Sequence, residues 1–88
     1  MITSKYLKFN EFQKSGRKTL TVLVLSAASN DRLGIIEWYA GWRKYCFFPD
    51  ADTVWSEDCM DDVKAKIREL MQARRRRRLK NWRDYWTR

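Results

Sequence analysis

Histidine is absent from this 88-residue chain. That removes the commonest general base, and neither Ser56 nor the thiols have an evident partner to activate them. Only two cysteines occur, Cys46 and Cys59. Two thiols build no disulfide framework, and a reduced pair is expected rather than a single bridge. Without histidine they cannot complete a zinc site in one chain unless carboxylates help, so no metal and no cofactor is expected. Long apolar runs are missing too. The longest, Val22-Leu23-Val24-Leu25, is far too short to span a bilayer. Met1-Ile2-Thr3-Ser4-Lys5 leads into mixed polar sequence without the apolar block of a secretory signal. These absences predict a soluble, intracellular, non-enzymatic protein with no membrane partner.

What is present is charge, strongly segregated. The net charge is +8 and the hydrophobic fraction 44%. That fraction, with five tryptophans, allows one small core, so a single domain over 1–88 is expected. Residues 1–49 carry eight basic and three acidic side chains; residues 50–62 carry six acidic and none basic; residues 63–88 carry eleven basic and two acidic. A basic C-terminal part next to an acidic block points to an electrostatic partner.

The chain reads as strands followed by a helix. Residues 5–12 alternate Leu7, Phe9 and Glu11 with Tyr6, Lys8 and Asn10, which fits a short strand; a helical turn is the competing reading. Thr19–Ser26, rich in β-branched residues, predicts a strand. Leu33–Tyr39 predicts another, with Ile36 and Trp38 on one face and Ile35 and Tyr39 on the other. Ala40-Gly41 reads as a two-residue connection, so Trp42–Phe48 should return antiparallel, ending at Pro49. Thr53–Trp55 adds a brief extended piece. Ser56 is a good N-cap, followed by anions where the macrodipole favours them. Met60, Val63, Ile67, Leu70 and Met71 then form one apolar stripe. With no Pro or Gly from residue 50 to 88, one helix is expected from about Glu57 to about Trp86. The fold class is α+β: a three- to four-stranded antiparallel sheet (about 5–55), then one long C-terminal α-helix (about 57–86) with a basic distal half.

Gly16-Arg17-Lys18-Thr19, Leu33-Gly34-Ile35-Ile36-Glu37-Trp38-Tyr39, and Trp42-Arg43-Lys44-Tyr45-Cys46-Phe47-Phe48-Pro49, followed by Cys59, carry a resemblance. This pattern resembles small uncharacterised proteins encoded by phages and prophages, over about residues 16–70. The resemblance implies a phage or mobile-element origin, hence the cytoplasm of a bacterial host, and no particular activity. More loosely, three strands and a helix are similar to the DNA-binding modules of plant AP2 factors and phage-integrase arm-binding domains, at the level of fold alone.

Three constellations carry candidate chemistry. Asp50, Asp52, Glu57, Asp58, Asp61 and Asp62 have the residue types for Mg²⁺, but read more simply as a dressed helix N-terminus and a solvated loop. Asp58 and Asp62 repel at i,i+4, and Lys66 is placed to relieve Asp62. On the hairpin, Trp38, Tyr39, Trp42 and Tyr45 lie beside Arg43 and Lys44, a mixture that can stack bases while cations hold phosphates. The plainer reading makes half of those aromatics core. If Trp38 and Ile36 face the helix, Tyr39 and Ile35 face away, and an exposed aromatic face calls for a partner, a homodimer mate or the N-terminal segment.

The third is Arg74-Arg75-Arg76-Arg77-Arg78, followed by Lys80, Trp82, Arg83 and Trp86. At 100° per residue the five arginines wrap a helix completely. Their like-charge pairs at i,i+3 and i,i+4 cost about 1–2.5 kcal/mol at low salt. Yet Met71, Arg75, Leu79, Trp82 and Trp86 keep helical spacing, which a disordered tail has no reason to preserve. A polyanion would offset the repulsion. The expected function is therefore nucleic-acid binding, to RNA or DNA. Arg74–Arg78, Lys80, Arg83, Arg43 and Lys44 would contact phosphates, and Trp82 and Trp86 would stack on bases or brace the helix. The alternative is a phage-encoded, anti-CRISPR-type inhibitor of host defence that binds a host protein, nuclease or ribonucleoprotein complex.

Overall fold

A computed structural model describes residues 6–86, with side chains through Arg76. Four strands, β1 (Leu7–Phe12), β2 (Thr21–Ser26), β3 (Arg32–Tyr39) and β4 (Lys44–Pro49), precede a single helix, α1 (Glu57–Trp86). The sheet is an antiparallel meander in the order β1-β2-β3-β4. This is the expected α+β architecture with four strands, and residues 7–12 settle as a strand rather than a helical turn. No described helix is long and apolar enough to cross a membrane.

Register decides which side chains meet. Leu7, Phe9 and Glu11 lie opposite Ser26, Val24 and Val22, while Val22 and Val24 lie opposite Ile36 and Gly34. Ile36 and Trp38 in turn oppose Phe47 and Tyr45. All these positions share the face that α1 covers. Val22, Val24 and Ile36 are fully buried there against Val63 and Leu70. A bulge between Val24 and Leu25 lets Gly34 pair with Val24 and Arg32 with Leu25, leaving Leu33 as the extra residue. Gly34 lies beneath Phe47, whose ring takes the space a side chain would need.

The helix starts where its sequence says it should. The Ser56 hydroxyl accepts the Cys59 backbone N–H at 3.2 Å, and Glu57 and Asp58 occupy the first turn. Trp55 packs its ring on Phe47 at 4.7 Å just before the helix. Farther along, Met71 accepts the Tyr45 N–H through sulfur at 3.5 Å, and Arg74 lies over Trp38. The helix thus crosses the sheet from the Phe47 end towards the β3–β4 turn. Its 30 residues span about 45 Å, so its distal half extends beyond strands of six to eight residues.

Several expectations need correction. The β3–β4 connection has four residues, 40–43, because Tyr39 pairs with Lys44. Trp42 and Arg43 belong to the turn; the N–H groups of Trp42 and Arg43 bond the carbonyls of Tyr39 and Ala40, and Arg43 adopts φ 54°. Thr53–Trp55 is not a strand. The Thr53 hydroxyl donates to the Asp50 carbonyl and accepts the Trp55 indole N–H, folding the segment into a loop with Val54 outside. Met60 is exposed, and Cys59 takes the sheet-facing position one residue earlier. The thiols agree with expectation, Cys46 and Cys59 both being free. Lys66 is buried and bonds Glu11 of β1 and Glu69 of its own helix, so its role is to join sheet to helix. Burial opposes its charge, but the hydrogen bond to Glu11 and the charges of Glu11 and Glu69 outweigh that, holding the ammonium above its ordinary pKa.

Candidate nucleic-acid interface

The meander brings two connections to the same end of the sheet. The β1–β2 loop, 13–20, carries Lys14, Arg17 and Lys18. The β3–β4 turn carries Arg43, with Lys44 opening β4. Two bonds tie the first loop to the second hairpin. Lys14 pairs with Glu37 of β3 at 3.3 Å, and the Leu20 N–H donates to the Tyr45 hydroxyl at 3.1 Å. The helix leaves the sheet past this same end, at Arg74–Arg76. Three basic segments, far apart in the chain, therefore converge on one end.

The opposite end is acidic. Asp31 lies in the β2–β3 turn, and Asp50 and Asp52 in the link to α1, followed by Glu57, Asp58, Asp61 and Asp62 at the helix start. Asp50 bonds Arg32 there at 3.0 Å, which also fastens the link to β3. Among the described residues no three metal-ligating side chains converge, so the acidic block does not form a cage. The strand axis is also the axis of charge separation.

At the basic end the cations differ in availability. Arg74 is half-buried, with its guanidinium carbon 4.1 Å from the Trp38 ring centroid. Trp38 also takes the Tyr45 ring edge-on at 5.4 Å. With Arg74 on one face and Tyr45 against it, Trp38 packs into the core. Arg75 and Arg76 are exposed, so the sheet-facing stripe passes through Arg74 and not through Arg75 as its spacing from Met71 suggested. Arg17, Lys18, Arg43, Lys44, Arg75 and Arg76 are exposed and form no ion pair among the described residues. The side chains of Arg77, Arg78, Lys80, Trp82, Arg83 and Trp86 lie outside the described residues.

Reading the sequence for this site missed Arg17 and Lys18. Gly16-Arg17-Lys18-Thr19 stood out only as part of a resemblance. The signal that would have found them is pairing order: in a meander, the first and third connections share an end. Compared with family models, curated proteins and solved structures, the chain matches none.

Proposed function

We propose that this chain is a non-enzymatic nucleic-acid-binding protein whose basic end grips the phosphate backbone of RNA or DNA. The supporting observation is the convergence of Arg17 and Lys18, Arg43 and Lys44, and Arg75 and Arg76, none ion-paired among the described residues. Exposed unpaired cations on one side of a fold repel each other and hold counterions, which a polyanion displaces. Arginine adds bidentate geometry towards phosphate. Such contacts position the chain on the polymer without reading its sequence. The helix runs on beyond Arg76, and its sequence there carries Arg77, Arg78, Lys80 and Arg83.

An electrophoretic shift series tests location against mere charge. Arg17→Ala/Lys18→Ala removes two cations from the basic end. Lys64→Ala/Arg68→Ala removes two exposed cations from the body of the helix. The first pair should weaken binding by about tenfold or more and the second by much less. Equal losses from both pairs contradict a localised interface.

The acidic end favours one second reading. Seven carboxylates opposite a basic end suit an inhibitor that docks on a host protein or ribonucleoprotein, mimicking nucleic acid with one end and gripping it with the other. Capture from host lysate after nuclease treatment separates the two. Persistence of the captured complex favours the inhibitor, and its loss favours direct nucleic-acid binding.

A further inference from the structure

The helix covers one face of the sheet and leaves the other open. Register places Leu23, Ile35 and Phe48 side by side on that face; in the next row Thr21 is buried and Glu37 pairs with Lys14 of the β1–β2 loop, so the open part is the side towards β4. Leu23 and Ile35 are half-buried, and Phe12, Tyr39 and Phe48 remain 39%, 42% and 40% exposed. Trp42, at the turn, is 67% exposed.

These rings are not scattered. Trp42 meets Tyr39 edge-on, with centroids 5.1 Å apart and planes at 85°. Tyr39 meets Phe48 at 6.4 Å and 71°. The three form a continuous line from the basic tip onto the open sheet. Edge-on packing fixes each ring while leaving flat π-surface for another ring. The line is also held from below. The Tyr39 ring lies so close to Gly41 that a Cβ there would stand 2.9 Å from Cε2. Arg43 closes the turn at φ 54°.

We infer that the Trp42–Tyr39–Phe48 line is a stacking platform for unpaired bases, which makes single-stranded nucleic acid the preferred ligand; this rests on the nucleic-acid reading of the basic end. Charge selects the occupant. Arg43 and Lys44 follow Trp42 in the chain with no ion pair among the described residues, so a base on the indole would have cations close by for its phosphate. Duplex bases stack on one another and offer no free face, whereas single strands can splay a base onto an aromatic ring. A purely apolar partner would satisfy the rings and leave those cations uncompensated.

The test compares wild type, Trp42→Ala and Trp42→Phe on oligothymidylate, oligouridylate and a duplex of equal length, each across a salt series. Trp42→Ala should lose about tenfold on the single strands with an unchanged salt slope, because stacking carries no counterion release. Duplex affinity should hold within about twofold, and Trp42→Phe should recover most of the loss. Equal losses on single strand and duplex, or none on either, overturn the platform while leaving backbone binding in place. Failure of the wild type to bind any of the three overturns the nucleic-acid reading itself. Sedimentation completes the set: a wild-type dimer that Trp42→Ala dissociates without loss of single-strand affinity assigns the face to a second copy and overturns the inference.

Discussion

Arg74 lies over Trp38, its guanidinium carbon 4.1 Å from the ring centroid, at the point where the helix leaves the sheet. The first arginine of the run is therefore part of the fold. A half-buried cation–π contact is worth about 0.5–2 kcal/mol. Arg74→Ala should lower the urea unfolding free energy by about 1 kcal/mol, and Arg75→Ala by less than about 0.5 kcal/mol. Binding should rank the other way, with Arg75→Ala costing more affinity than Arg74→Ala. Equal unfolding costs for the two would contradict this division of labour.

Lys66 joins β1 to α1 through Glu11, with Glu69 as second partner. Glu11→Ala takes the main partner from a buried ammonium and should cost about 1–2 kcal/mol. The pH dependence follows from the raised pKa. Stabilisation from a group whose folded value exceeds its unfolded one is complete below the ordinary lysine value of about 10.4 and vanishes as pH climbs through the folded value. Urea midpoints measured from neutral to strongly alkaline pH should therefore fall for wild type. The decline should be shallower in Lys66→Met.

Gly34 is fixed by Phe47 and by the neighbouring strand. A Cβ at this position would stand 2.6 Å from Phe47 Cε1 and 2.9 Å from the Phe48 carbonyl oxygen. The ring can rotate away, but the backbone oxygen belongs to the ladder. Gly34→Ala should destabilise by about 1–3 kcal/mol, read by thermal or urea unfolding. A neutral result would mean that β3 and β4 are not in this register.

Met60 and Val63 test the face of the helix. Met60 is 53% exposed and Val63 is buried. Met60→Gln should change stability by less than about 0.5 kcal/mol. Val63→Ala should cost about 1–3 kcal/mol, because it removes two buried methyl groups and leaves a cavity.

Patterns of period two and about 3.6 made most of the fold legible. Thr-Val-Leu-Val-Leu-Ser is rich in β-branched residues, Ile36 and Trp38 take one face of their strand, and Ser56 announces a helix. Two things were hidden for physical reasons. The left-handed backbone at Arg43 lets a non-glycine residue complete a four-residue turn, which Ala40-Gly41 disguised as a shorter one. Lys66 reads as a solvent charge until Glu11, 55 residues earlier, is placed opposite it. The arginine run and the Arg43/Lys44 pair were plain in the sequence. Arg17 and Lys18 were not, because their membership of the same surface is a property of strand order rather than of local pattern. Nor did spacing separate Trp38 from Trp42: the helix covers the first with Arg74 and leaves the second exposed.

The most direct test of the account is the salt dependence of binding to a nucleic acid. If the basic end neutralises about six phosphates, log affinity against log salt should fall with a slope of about −4 to −5. The triple variant Arg17→Ala/Lys18→Ala/Arg43→Ala should flatten that slope by about two units. Affinity that stays level from low to moderate salt, or a slope the triple variant leaves unchanged, would contradict a phosphate-gripping surface at this end of the sheet.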